Sequence, residues 1–131
     1  MKRRGIPREV ETFIKDHLSS VAQLEILLLI HAQQEAFHSP EEVAEQLRIE
    51  PGWAAAEMER LCGHGLCEVQ RDNGDRYRFS PDDPRHATVV DDLATAFSTH
   101  RVSVITLIFS TPSDSIGSFA DAFKLRGDRD G

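Results

Sequence analysis

Two thiols and an imidazole stand within one short stretch, Cys62-Gly63-His64-Gly65-Leu66-Cys67. Zn²⁺ accepts such ligands, and thiolates at this separation can also be oxidised to a disulfide. A zinc site needs a fourth ligand, and none follows at a suitable spacing. One of His17, His31, His38, His86 or His100 would have to arrive from elsewhere in the fold. Cys62 adjoins the apolar Leu61 in a helical pattern, and Cys67 opens a β-prone run. Small apolar residues are expected in both places, so structural cysteines are favoured and no metal is assigned.

Other reactive groups do not converge. The chain has no phosphate-binding glycine loop, no nucleophile elbow and no HExxH helix. Asp82-Asp83 and Asp91-Asp92 suit positions near a helix N-terminus. His100-Arg101 interrupts an apolar stripe, where it marks a pocket, an inter-subunit contact or, the favoured reading, an exposed point where the stripe drifts. No enzymatic activity and no cofactor are expected.

The remaining candidates are cations placed to meet phosphate. Arg60 lies on the outer face of a helical pattern, and Arg71, Arg76 and Arg78 flank a turn. Lys2, Arg3, Arg4 and Arg8 make the N-terminus basic. Each is equally at home as a solvated surface charge.

These groups are positioned by the stretch from Ser39 to Gly65, SPEEVAEQLRIEPGWAAAEMERLCGHG. Ser39 fits an N-cap, Pro40 the first helical position, and Glu42 completes a capping box. Val43, Ala44 and Leu47 form one buried stripe. Arg48 to Pro51 makes a turn with Ile49 inward, and a second helix follows with Trp53 or Ala54, Ala55, Met58, Leu61 and Cys62 on one face. Trp53 is expected as a core or staple residue over the turn, with an exposed anchor as the alternative. Gly65 suits the left-handed residue beyond the helix end. Leu66–Arg71 and Arg76–Ser80 then read as strands around Asp72-Asn73-Gly74-Asp75, where Asn-Gly favours a hairpin.

Flanking elements complete the reading. Val10, Phe13, Ile14 and His17 recur at helical spacing from about Pro7. Ser19 or Ser20 caps a second, nearly all-apolar helix ending near Gln34, the central strut of the domain. After the break at Pro81–Pro84, one long helix is expected to Ser110, with Val90, Leu93, Phe97, Val104, Leu107 and Ile108 on a stripe. Its second half, VSVITLIF, suits a strand as well; the lack of a turn residue before it favours helix. A short last helix carries Ile116, Phe119, Ala120 and Phe123, capped by Ser113 or Asp114. The expected fold is mostly α with a small β-hairpin. Residues 1–18 form a tail and helix, 19–81 the helix-turn-helix unit, and 82–131 helices for association.

At 131 residues and 40% apolar, the chain can bury a real core as one domain. Two cysteines make no disulfide framework, and no apolar run reaches a membrane span or signal peptide, so a cytoplasmic protein is expected. The net charge is −7. From Ser39 to Gly65 six carboxylates (Glu41, Glu42, Glu45, Glu50, Glu57, Glu59) face two guanidinium groups (Arg48, Arg60), a local −4. Acid opposes extensive nucleic-acid contact but leaves room for a basic patch.

The strut LEILLLI, the helix SPEEVAEQL, the turn Arg48–Pro51, the helix end MERLCGHGL and the hairpin EVQRDNGDRYRFSP together resemble the winged helix-turn-helix superfamily of bacterial transcription regulators. The flanking helices are similar in order to the MarR-type layout. The resemblance implies that the second motif helix reads DNA, with Trp53, Arg60, Arg71, Arg76 and Arg78 at the interface. It also implies a homodimer. Phe13, Val90, Leu93, Phe97, Val104, Leu107, Ile108, Phe119 and Phe123 are the expected surface for the second copy or another protein partner. The acidic exposed face supports a different reading, an interaction or adaptor module that does not bind DNA.

Overall fold

The computed structural model describes residues 6 to 110. The expected terminal helix with Phe119 and Phe123, and the cations Lys2, Arg3 and Arg4, lie outside them. The chain orders as α1 (Arg8–His17), α2 (Val21–Ala32), α3 (Pro40–Leu47), α4 (Pro51–Gly63), β1 (Cys67–Gln70), β2 (Arg76–Phe79), α5 (Pro84–Thr99) and α6 (Arg101–Ser110).

Local chemistry sets most of these boundaries. The Ser20 hydroxyl accepts from the Gln23 amide and starts α2. Leu24, Ile26, Leu27 and Ile30 of that helix are fully buried, so α2 is the strut on which α3, α4, α5 and β2 pack. Ser39 and Glu42 form the reciprocal capping box at the start of α3. Arg48 takes the left-handed conformation (φ 60°, ψ 49°) and ends α3. Glu50 then accepts from the Trp53 amide at 3.0 Å, opening α4. At the far end of α4, Gly65 sits at φ 76° while Leu66 N–H reaches back to the Leu61 carbonyl at 3.0 Å. A side chain on Gly65 would also meet Asp82 Oδ2 at 2.8 Å, a carboxylate tip that can turn aside, so it is the positive φ that calls for glycine.

β1 and β2 pair antiparallel with Cys67 opposite Phe79 and Val69 opposite Tyr77. Backbone bonds in both directions join Tyr77 to His38, just before α3. The hairpin is thereby tied to the helix-turn-helix rather than left as a free ribbon.

The expected long helix from Pro84 to Ser110 is instead two. At His100 the backbone leaves the helical region (φ −135°, ψ 53°), and α6 departs from α5 at 115°. The break needs no glycine or proline. The His100 amide ends α5 on the Ala96 carbonyl, and its own carbonyl starts α6 by accepting from Val104. The fold-back sends both stripes into one core: Val90, Leu93 and Ala96 from α5; Val104, Leu107 and Ile108 from α6. A straight helix would carry the second stripe away from α1 and α2. Val102–Phe109 is therefore helical, with its β-branched Val104 and Ile108 accommodated by burial. No single helix among the described residues is long and apolar enough to cross a membrane. The architecture is a winged helix-turn-helix flanked by α1 on one side of the sequence and α5–α6 on the other.

Candidate nucleic-acid interface

α4 divides its residues between core and surface. Ala54, Met58 and Leu61 are fully buried against the strut. Pro51, Gly52, Trp53, Ala56, Glu59 and Arg60 are exposed. Trp53 is 44% exposed, which corrects its expected place in the core. Ala54, one residue on, takes the inward position, and a single helical step of about 100° turns the indole out. Arg60 projects with 65% of its side chain accessible.

Glu57 is the exception to this division. It is only 8% exposed, its Oε2 lies 4.0 Å from Arg60 Nε, and its buried Oε1 has no hydrogen-bond partner. Arg60 is the cation within reach, so part of its charge is spent inside the chain.

Two of the three wing arginines are likewise engaged. Arg71 contacts Asp75 at 2.7 Å and Glu59 at 3.0 Å, bridging the hairpin to α4. Arg78 meets Glu68 across the strands at 2.7 Å and lies over the Phe37 ring. Arg76 is exposed and has no carboxylate partner among the described residues. Its guanidinium borders a groove of about 630 Å³ running between Ser39–Pro40, Ala55 and the hairpin tip Asn73–Asp75. The side of the helix-turn-helix beside the wing is concave there, with Asp75 and Glu41 on its rim.

The Arg71 bridge has a partner absent from the sequence reading. The Tyr77 hydroxyl donates to Glu59, whose carboxyl is held below the usual range first by Arg71 and then by this phenol. Burial, then the neighbouring carboxylate, pushes the Tyr77 phenol upward. Arg71 and Tyr77 lie 12 and 18 positions from Glu59, and no local pattern announces their convergence on it.

The cysteines do come together. Cys62 is half-buried and Cys67 buried, both are free, and the two thiols shift each other's acidity. The neighbouring thiol lowers the Cys62 thiol, while the same neighbour and burial raise that of Cys67. Among the described residues, no group of three or more His, Cys, Asp or Glu side chains is arranged to hold a metal ion.

Six of the residues expected at a dimer surface, Phe13, Val90, Leu93, Val104, Leu107 and Ile108, are at most 4% exposed and fill this chain's own core. Phe97 is half-buried beneath the Arg101 guanidinium. The apolar groups that α6 turns outward are Val102 and Phe109, at 77% and 78% exposed.

No protein-family model matches the chain, and no curated protein sequence matches it. Among solved structures the fold is similar to that of the transcriptional regulator Tm0710 from Thermotoga maritima. The likeness covers 88% of this chain and 79% of that one, at 16% identity and a TM-score of 0.52. At that identity the comparison establishes the shared winged-helix fold.

Proposed function

We propose that this chain is a DNA-binding transcriptional regulator of the winged-helix type, acting in the cytoplasm as a homodimer. The observation that carries the reading is the division of α4. Its core duty is met by Ala54, Met58 and Leu61, while Trp53, Ala56 and Arg60 face outward without a packing role. A helix of this kind fits a major groove, and the wing beside it offers Arg76 to the adjoining phosphates. The likeness to a transcriptional regulator agrees with this use of the fold. For the dimer, the support is the pair Val102 and Phe109 on the outside of α6, next in sequence to the apolar residues Phe119 and Phe123.

A second reading, the non-DNA adaptor, is favoured by a specific observation. Arg71 and Arg78 are already neutralised by Glu59, Asp75 and Glu68. An interface with acid around Trp53 would suit a basic protein partner.

Binding to random genomic DNA fragments across a salt series separates the two. A regulator gives a complex whose affinity falls with salt. No complex at low salt removes the regulator and leaves the adaptor. Light scattering at micromolar concentration tests the dimer, and a monomeric mass overturns it.

A further inference from the structure

Three histidines from three elements meet at one end of the molecule. His17 is the last residue of α1, His64 caps the C-terminus of α4, and His86 lies in the first turn of α5. His17 Nδ1 is 2.9 Å from His64 Nδ1. The His17 ring stands edge-on to both of the others, with centroids 5.0 Å from His64 and 5.1 Å from His86. Phe13 closes the fourth side, 4.7 Å from His17 and 5.4 Å from His86.

We propose that this cluster is an acid-sensitive latch: neutral imidazoles tie α1 to the end of α4 and to α5, and protonation releases α1. The chemistry is set by the short nitrogen–nitrogen contact. One ring nitrogen must donate its proton and the other must accept through a lone pair. A cluster with one proton too many turns two N–H groups toward each other, and the bond becomes a repulsion. His86 adds a third ring that cannot charge beside a charged His17 without further repulsion.

The surrounding charges do not remove this conflict. Burial, then His64 and then His86, hold His17 below its ordinary 6.5, and Asp16 opposes them. On the α1 side Arg8 and Glu9 line the same cleft of about 430 Å³; on the α5 side Asp83 and Arg85 do, and those two pair with each other at 2.8 Å. Asp82 sits beside Gly65, next to His64. From α6, Arg101 is turned to Glu25 and Phe97 instead. The C-terminus of α1 favours a cation at His17, but burial and the two neighbouring rings outweigh it. Because the fold holds His17 neutral, its contribution to stability is complete above 6.5 and is lost as pH falls below that value.

The inference needs only the fold, so it stands or falls apart from DNA binding. The test is native-state hydrogen exchange on the full chain at about pH 7.5 and about pH 5.5, with protection corrected for intrinsic rates. Protection of α1 should fall about tenfold more than that of α2 on acidification. Replacing the exposed His64 by asparagine (H64N) should remove most of that difference, and His86→Asn should remove part. In thermal melts the wild type should lose about 4 °C more than H64N over the same interval. Equal acid losses in the wild type and both variants overturn the latch. So does a His17 ring that titrates, by NMR, at or above 6.5. Variants that retain the α1-specific loss would place the acid response outside the cluster and likewise overturn it.

Discussion

The hydroxyl of Tyr77, on the second wing strand, donates to the Glu59 carboxylate on α4, and through it the hairpin is fastened to the second helix of the helix-turn-helix. Tyr77 also pairs by its backbone with His38, so one residue links the wing to both ends of the helix-turn-helix. The Tyr77 ring is 1% exposed, whereas Glu59 reaches solvent.

Replacing Tyr77 by phenylalanine keeps the buried ring and removes the donor. The loss should be roughly 1 kcal/mol, small for a bond to a charged group because Glu59 keeps Arg71 and is partly solvated. The pH dependence carries a second signature. Glu59 has its carboxyl lowered in the fold, so its contribution is present above its ordinary 4.5 and is lost as pH falls through the folded value. Y77F should flatten the acid side of the stability curve below that point, read by urea unfolding at a series of pH values. An unchanged acid limb would show that Arg71 alone sets the Glu59 titration.

Ser39 tests the capping box in the same terms. Its hydroxyl accepts from Glu42 N–H at 3.1 Å, and Glu42 returns a bond from the Ser39 amide at 2.9 Å. Ser39→Ala should cost about 1 kcal/mol and lower Tm by about 4 °C. Ser39→Gly should cost less than alanine, since glycine leaves the cap's extended backbone and solvation open. A calorimetric melt in which alanine and glycine are equal would argue that the helix start is held by packing of Pro40 and Val43 instead.

The capping box was legible because its two members are three residues apart and its chemistry is local. The same holds for Gly65, whose positive φ follows from its place beyond a helix end. The break at His100 was not legible. No proline or glycine marks it, and it is imposed by the core's need to receive Val104, Leu107 and Ile108 beside Val90 and Leu93. Trp53 was misplaced by one helical step, a rotation that an alanine-rich segment leaves open until the neighbours are known. The interface reading of Val90, Leu93 and Leu107 was half legible. Their apolar stripe is real, but the bend turns it onto the same chain. Histidines 17 and 64 carry no mutual signal across 47 positions, and only the fold brings their nitrogens together.

The thiol pair predicts unequal reactivity. Cys62 is more accessible, and the adjacent Cys67 thiol holds its pKa below the ordinary value. Cys62 should therefore be alkylated first by iodoacetamide, with the rate midpoint below that of an ordinary thiol. Cys67→Ala removes that thiol and should move the midpoint upward. Cys67→Ser, which keeps a hydroxyl in its place, should move it less. Alkylation of Cys67 ahead of Cys62, tracked by peptide mass, would contradict the arrangement.

The wing arginines make the sharpest test of the DNA reading, because they differ in what already holds them. Arg76 has no carboxylate partner among the described residues, so Arg76→Gln should weaken binding to all sequences alike and reduce the salt slope by about 1. Arg71 is held by Asp75 at 2.7 Å as well as by Glu59. Asp75→Asn removes a charge that repels phosphate and loosens the guanidinium toward solvent. It should strengthen binding severalfold at low salt, with the gain shrinking as the Debye length contracts. Both substitutions lie on the exposed hairpin, so stability should stay within about 0.5 kcal/mol of the wild type. The readout is fluorescence anisotropy on a labelled duplex over a salt series, paired with a melt. Opposite effects of R76Q and D75N at unchanged stability are what a phosphate-facing wing requires. If neither variant shifts the binding curve, the wing does not meet DNA, and the acidic surface around Trp53 becomes the place to look for a partner.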